Sequence, residues 1–73
     1  IEQGNLQEAE LSLGKAIEIN PGFPEAHYNL GIILKDLGRL EEAENSLRKA
    51  IKLNPDYLDA YSSLGRILKE IGK

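Results

Sequence analysis

The chain holds 73 residues, 41% hydrophobic and 29% charged, with no cysteine and a formal net charge of −3. That bounds it to one small domain with a marginal core and without disulfides or thiolate sites. An acidic chain lacks the basic footprint of a nucleic-acid binder, and the longest apolar run, Ile32 to Leu34, is far too short to cross a membrane.

The absence of cysteine fits a reducing compartment, and no signal-peptide pattern is present, so the expected setting is the cytoplasm. The sequence opens on Ile1 rather than Met, and we read it as part of a longer protein. Four amphipathic helices are predicted. The first covers about 5–19, where Leu6, Ala9, Leu13, Ala16 and Ile17 recur at helical spacing. Asn20-Pro21-Gly22 ends it, because proline lacks an N–H and disfavours α geometry in the residue before it. The second covers about 24–37. Pro24 suits its first turn, and Ala26, Leu30, Ile33, Leu34 and Leu37 form its apolar stripe. Gly38-Arg39 makes a tight break. The third covers about 40–53, carried by Leu40, Ala43, Leu47, Ala50 and Ile51, and Asn54-Pro55-Asp56 stops it. The fourth covers about 57–71. Gly4, Gly38 and Gly72 are read as turn residues.

The second half of the chain repeats the first. Laying residues 1–39 over 35–73, a shift of 34, gives 19 identities in 39 pairs without a gap. The stretch LQEAELSLGKAIEINP (6–21) lies over LEEAENSLRKAIKLNP (40–55), and AHYNLGIILKDLG (26–38) lies over AYSSLGRILKEIG (60–72). Self-similarity at such a period marks a stacked repeat architecture. The repeat also keeps an unfavourable feature, a glycine inside a helix, at Gly31 and Gly65. A helix-interior glycine costs roughly 0.5–1 kcal/mol relative to alanine. Both glycines adjoin a core leucine, Leu30 and Leu64. The expectation is that each missing side chain lets a neighbouring helix backbone come close. Ala9, Ala43 and Ala50 are the matching small residues.

These features resemble the tetratricopeptide repeat family, a 34-residue helix–turn–helix unit. The family pattern has a large aromatic, Leu-Gly three residues on, and a large residue three further. His27, Leu30, Gly31 and Leu34 fit that spacing, and Tyr61, Leu64, Gly65 and Leu68 fit it again. The small residue and the bulky one four later are Ala43 and Leu47, and earlier Ala9 and Leu13. The helix-ending prolines are Pro55 and Pro21. His27 stands where the family usually has Trp, and Leu34 and Leu68 replace a common Tyr. In texture the repeats are similar to those ahead of the catalytic domain in O-linked N-acetylglucosamine transferases, and to arrays attached to bacterial glycosyl- and sulfotransferases. The resemblance implies an all-α solenoid fragment of four antiparallel helices. Residues 1–23 are then the second helix of one repeat with a linker, 24–57 a complete repeat, and 58–73 the first helix of a following repeat.

No catalytic, metal or cofactor site is expected. His27 is the only histidine, and without cysteine a metal site would need carboxylates at unsuitable spacing. His27 occupies a core-facing repeat position and is read as packing. Ser62 or Ser63 with His27 and Asp59 supplies the residue types of a nucleophile triad. Nothing around them resembles a nucleophile elbow, however, and a helical repeat offers no obvious oxyanion hole. The glycines lack phosphate-loop spacing. Glu41, Glu42 and Glu44 are read as a solvated helix face, with Glu44 and Arg48 spaced for an i,i+4 pair.

What remains is a surface. Stacked helix pairs form a superhelix with a concave face, and the resemblance implies that the first helix of each repeat lines it. The candidate partner-binding residues are Glu25, Tyr28, Asn29, Ile32, Lys35 and Asp36, followed one period later by Asp59, Ser62, Ser63, Arg66, Lys69 and Glu70. The Asn29 amide can hydrogen-bond the backbone of an extended peptide without reading its sequence. Tyr28 and Ile32 offer an apolar anchor. The clamp with which some family members hold a chaperone's C-terminal carboxylate is not expected, since Asp59 and Ser63 stand where basic residues belong and only Asn29 fits. The expected function is a protein-interaction scaffold for an extended peptide or a partner surface, with neither nucleic acid nor membrane as partner. One alternative is a substrate-recruiting arm of a larger glycosyltransferase-like enzyme. Another is self-association into a homo-oligomer. There the first helix presents Leu6, Ala9, Leu13, Ala16 and Ile17, the last presents Leu64, Ile67, Leu68 and Ile71, and copies stack head to tail.

Overall fold

The computed structural model describes residues 2–72, apart from the side chains of Glu2 and Gln3. Its elements are α1 (Glu2–Ile19), α2 (Pro24–Asp36), α3 (Leu40–Leu53) and α4 (Leu58–Ile71). Among the described residues there is no strand. Helix α3 lies between α2 and α4, α1 packs on α2, and α4 touches α2 as well as α3. The all-α helix-hairpin architecture expected from the repeat is the one observed.

The helix stops follow local chemistry. After α1 and α3 the same turn appears twice. The N–H groups of Asn20 and Asn54 donate to the carbonyls of Ala16 and Ala50, each at 2.9 Å. Their side-chain Oδ1 atoms accept from the N–H of Gly22 at 3.3 Å and of Asp56 at 3.1 Å. Asparagine thus shapes the turn that the following proline makes necessary. After α2, Gly38 takes φ +84°. Arg39 N–H then reaches the Leu34 carbonyl and Gly38 N–H the Lys35 carbonyl, both at 2.9 Å. This double closure needs a left-handed residue, which glycine supplies without a Cβ clash. Gly4 does not behave alike. The turn expected there is instead the first turn of α1. Gly38 and Gly72 take a positive φ and close the helices before them, whereas Gly4 takes none, so the helix runs through it.

The core consists of Leu34, Ala43, Leu47, Ala50, Ala60, Leu64 and Ile67, and Leu47 and Ile67 are its largest fully buried side chains. At Gly31 the expected close approach is present. A Cβ there would lie 2.8 Å from Leu47 Cγ and 3.3 Å from the Ala43 carbonyl oxygen. Gly65 departs from the expectation: it is exposed, and a Cβ there would have nothing within 4 Å. Gly31 faces Leu47 and the Ala43 carbonyl across the α2–α3 contact, whereas no described residue stands opposite Gly65.

Two further expectations need correction. Leu64 and Ile67 are not an uncovered end face, being 8% and 0% exposed. They belong to the core that α4 shares with α3. The stripe that α4 leaves open is rotated by roughly a third of a turn and carries exposed Leu58, Tyr61 and Gly65 with half-buried Leu68. Glu44 is not part of a solvated face either, although Glu41 and Glu42 are exposed. Helix α3 is covered on two flanks, so its solvent face is narrower than one-sided periodicity suggests. Glu44 still makes the expected pair with Arg48, at 2.9 Å.

Arg39 ties α1 to the α2–α3 turn. Its Nη1 donates to Glu10 Oε1 at 2.8 Å, while Nη2 and Nε donate to the two Glu42 carboxylate oxygens at 2.6 and 3.2 Å. These hydrogen bonds hold the Glu42 carboxyl below the usual carboxylate range, against a smaller desolvation cost. Folding therefore gains from this pair above the ordinary carboxylate range, and the gain is lost as pH falls through the lowered Glu42 midpoint. In an NMR titration, the folded-state midpoint of Glu42 should lie below its midpoint in the denatured chain. Arg39→Gln should return it. An unchanged Glu42 midpoint in Arg39→Gln contradicts the pairing.

Candidate functional site

A first helix in this stack has three faces. On α2, His27, Gly31 and Leu34 form the buried stripe, and Ala26, Leu30 and Ile33 form a half-buried one. The third face carries Glu25, Asn29 and Asp36, all exposed, and Tyr28, Ile32 and Lys35, all half-buried. On α4 the corresponding face carries exposed Asp59, Ser62, Arg66, Lys69 and Glu70, with Ser63 half-buried. None of the twelve belongs to the buried core. Because α2 and α4 touch, the two helices that bear these rows are neighbours. Glu25 and Asp59 begin the rows. Lys35, Asp36, Lys69 and Glu70 end them with both charges.

The aromatic part of the face differs from a free anchor. Tyr28 packs partly on the core, and its ring lies 5.1 Å from that of Tyr57 at a 34° tilt. Tyr57, in the turn before α4, was not among the predicted row residues. Burial pushes its phenol up from the ordinary range, and Glu25, Tyr28 and Asp59 add to the shift. Tyr57 thus lies within electrostatic reach of Glu25 and Asp59, which begin the two rows. The sequence carries a signal for it, since Phe23 stands one period earlier in the same turn position.

His27 is 7% exposed, and its Nε2–H donates to the Pro21 carbonyl at 2.9 Å. It pins the turn between α1 and α2, in accord with the packing reading. Ser62 and Asp59 lie exposed on α4. Among the described residues, no three His, Asp or Glu side chains gather in a way that could hold a metal ion, and no helix is long and apolar enough to cross a membrane. A shallow hollow lined by Glu10, Leu11, Gly14, Lys15 and Glu18 runs along α1 alone. One helix cannot enclose a ligand, and none of these residues is in the row.

Stacked antiparallel hairpins with one shared apolar layer, and a polar row left on the first helices, define a helical-repeat module. The tetratricopeptide repeat family model matches residues 1–64. The chain belongs to the tetratricopeptide repeat family. No curated protein matches it. Repeats of this family generally mediate protein–protein interaction, and its domains are typically non-catalytic scaffolds.

Proposed function

We propose that the chain is a protein-interaction scaffold that holds an extended peptide, or an extended edge of a partner, along the rows of α2 and α4. The supporting observation is that two contacting helices each keep one face out of the core. In this reading residues 24–57 are the complete repeat, and 1–23 and 58–73 contribute one helix each. Asn29 is exposed and can exchange hydrogen bonds with a peptide backbone. The Tyr28–Tyr57 pair with Ile32 supplies an apolar patch beside it. Cysteine-free composition supports a cytoplasmic setting. The likeness to the repeats of glycosyltransferases would make the same rows a substrate-recruiting arm, and a catalytic domain in the parent sequence is what that alternative requires.

The test uses a peptide selected on the chain from a random library. Asn29→Ala with Tyr28→Ala should weaken binding by about tenfold or more, the effect of losing a central anchor. Glu41→Ala with Lys52→Ala, both exposed on α3, should change it less than about twofold. A Tyr28→Phe control separates ring packing from hydroxyl contacts. Equal losses from the α2 and α3 sets place the site elsewhere.

A further inference from the structure

Helices α2 and α4 begin alike. Each carries one carboxylate in its first turn, Glu25 and Asp59, and both are exposed. The two acids belong to different helices, yet both act on one phenol. Tyr57 is pushed up by burial first, then by Glu25, Tyr28 and Asp59. Its ring lies 5.1 Å from that of Tyr28. Ile32, one helical turn past Tyr28 on the same face of α2, is half-buried. Among the described residues neither acid makes an ion pair, since Arg39 holds Glu10 and Glu42 and Arg48 holds Glu44. The cations of the rows lie further along. Arg66 is seven residues past Asp59 and Lys35 ten past Glu25, about 10 and 15 Å along the helix axis. A carboxylate in a first turn is favoured by the helix dipole alone, which accounts for each acid singly. It does not account for two of them acting on one aromatic pair.

We propose that the Tyr28–Tyr57 pair, rimmed by Glu25 and Asp59, is a seat for a basic side chain, Lys or Arg, of the bound peptide. The inference rests on the peptide-binding reading above and names what that peptide carries. Charge complementarity selects the occupant. The surface is apolar in the middle and anionic at the edge, so it fits a side chain with an apolar stem and a cationic tip. The stem covers Ile32 and the rings, and the tip meets the ring faces and the two free carboxylates. An aliphatic or neutral aromatic occupant would cover the rings but take water from the carboxylates without replacing it. An acidic occupant would be repelled. The Asn29 amide, one residue past Tyr28 and exposed, stands ready for the backbone that delivers the basic residue.

A random peptide library selected on the 73-residue chain tests this. Selected peptides should share a Lys or Arg at one position. Changing that residue to Gln should weaken binding about five- to tenfold, the combined effect of a cation–ring contact and two exposed ion pairs. Glu25→Gln with Asp59→Asn, at exposed positions of the first turns, should cut that penalty below about twofold. Glu8→Gln with Glu41→Gln removes the same charge from exposed positions of α1 and α3 and should leave the penalty intact, which separates a local seat from the overall field. Asn29→Ala tells whether a peptide lies on the rows. Peptides indifferent to Asn29→Ala bind elsewhere and overturn both readings. Peptides that need Asn29 but share no basic residue overturn the seat alone. So does a Gln penalty that survives Glu25→Gln with Asp59→Asn, or one that the α1 and α3 changes abolish equally.

Discussion

Leucine at position 31 should lower the melting temperature of the chain, and leucine at position 65 should raise it. The two glycines occupy the same repeat position in two similar helices, so helix propensity favours both changes by roughly 0.5–1 kcal/mol. Packing separates them. At Gly31 the first added carbon already falls 2.8 Å from the fully buried Leu47. Leu47 cannot retreat without displacing the rest of the core, and overpacking of this kind costs about 1–3 kcal/mol or more. That outweighs the propensity gain. At Gly65 the space is open, so the gain stands alone. For a domain of this size each kcal/mol moves the midpoint by about 4–8 °C. The expected shifts are a fall of up to about 20 °C at 31 and a rise of about 2–8 °C at 65, read at low concentration. A rise at 31 would refute the packing argument, and a fall at 65 would show that a helix covers α4.

Leu47→Ala should be the most damaging truncation in the chain. Leu47 is wholly buried on the central helix and fills the seat opposite Gly31. Deleting such a side chain costs about 2–5 kcal/mol, through lost transfer energy and the cavity left behind. Small domains hold only about 0.05–0.15 kcal/mol per residue in reserve, so the variant should be close to unfolding at room temperature. Leu13→Ala removes the same side chain one period earlier, where it is half-buried. It should cost about 1 kcal/mol or less. Urea melts of the two variants give the comparison, and equal losses would contradict the asymmetry between the inner and outer second helices.

These contrasts show what the sequence could and could not reveal. The bounds of α2, α3 and α4 were legible within one residue, because Pro24, Gly38 and the Asn-Pro pairs each impose a specific backbone geometry. The start of α1 was not, because Gly4 has the identity of a turn residue but takes no left-handed φ and runs on within the helix. Periodicity also found the core leucines of α2 and α3. It could not distinguish Gly31 from Gly65, whose surroundings differ only in which helix lies opposite. Likewise Glu44 reads as a surface residue from its own helix alone, and its burial follows from α3 having neighbours on two sides. For the candidate face, the family resemblance chose the first helices and helical spacing their residues, none of which is fully buried. It missed Tyr57, which reaches Tyr28 from a turn and so has no helical phase to betray it.

The central claim is that partners bind along the rows of α2 and α4. The most direct test is NMR mapping of backbone amide shifts in the 73-residue chain, titrated with a library-selected peptide at a concentration where the chain is monomeric. The account predicts the largest shifts at Glu25, Asn29, Ile32, Asp59, Ser63 and Arg66, with α1 and the exposed side of α3 nearly unmoved. Largest shifts along the hollow of α1, or on the Tyr61–Gly65 stripe of α4, would contradict it.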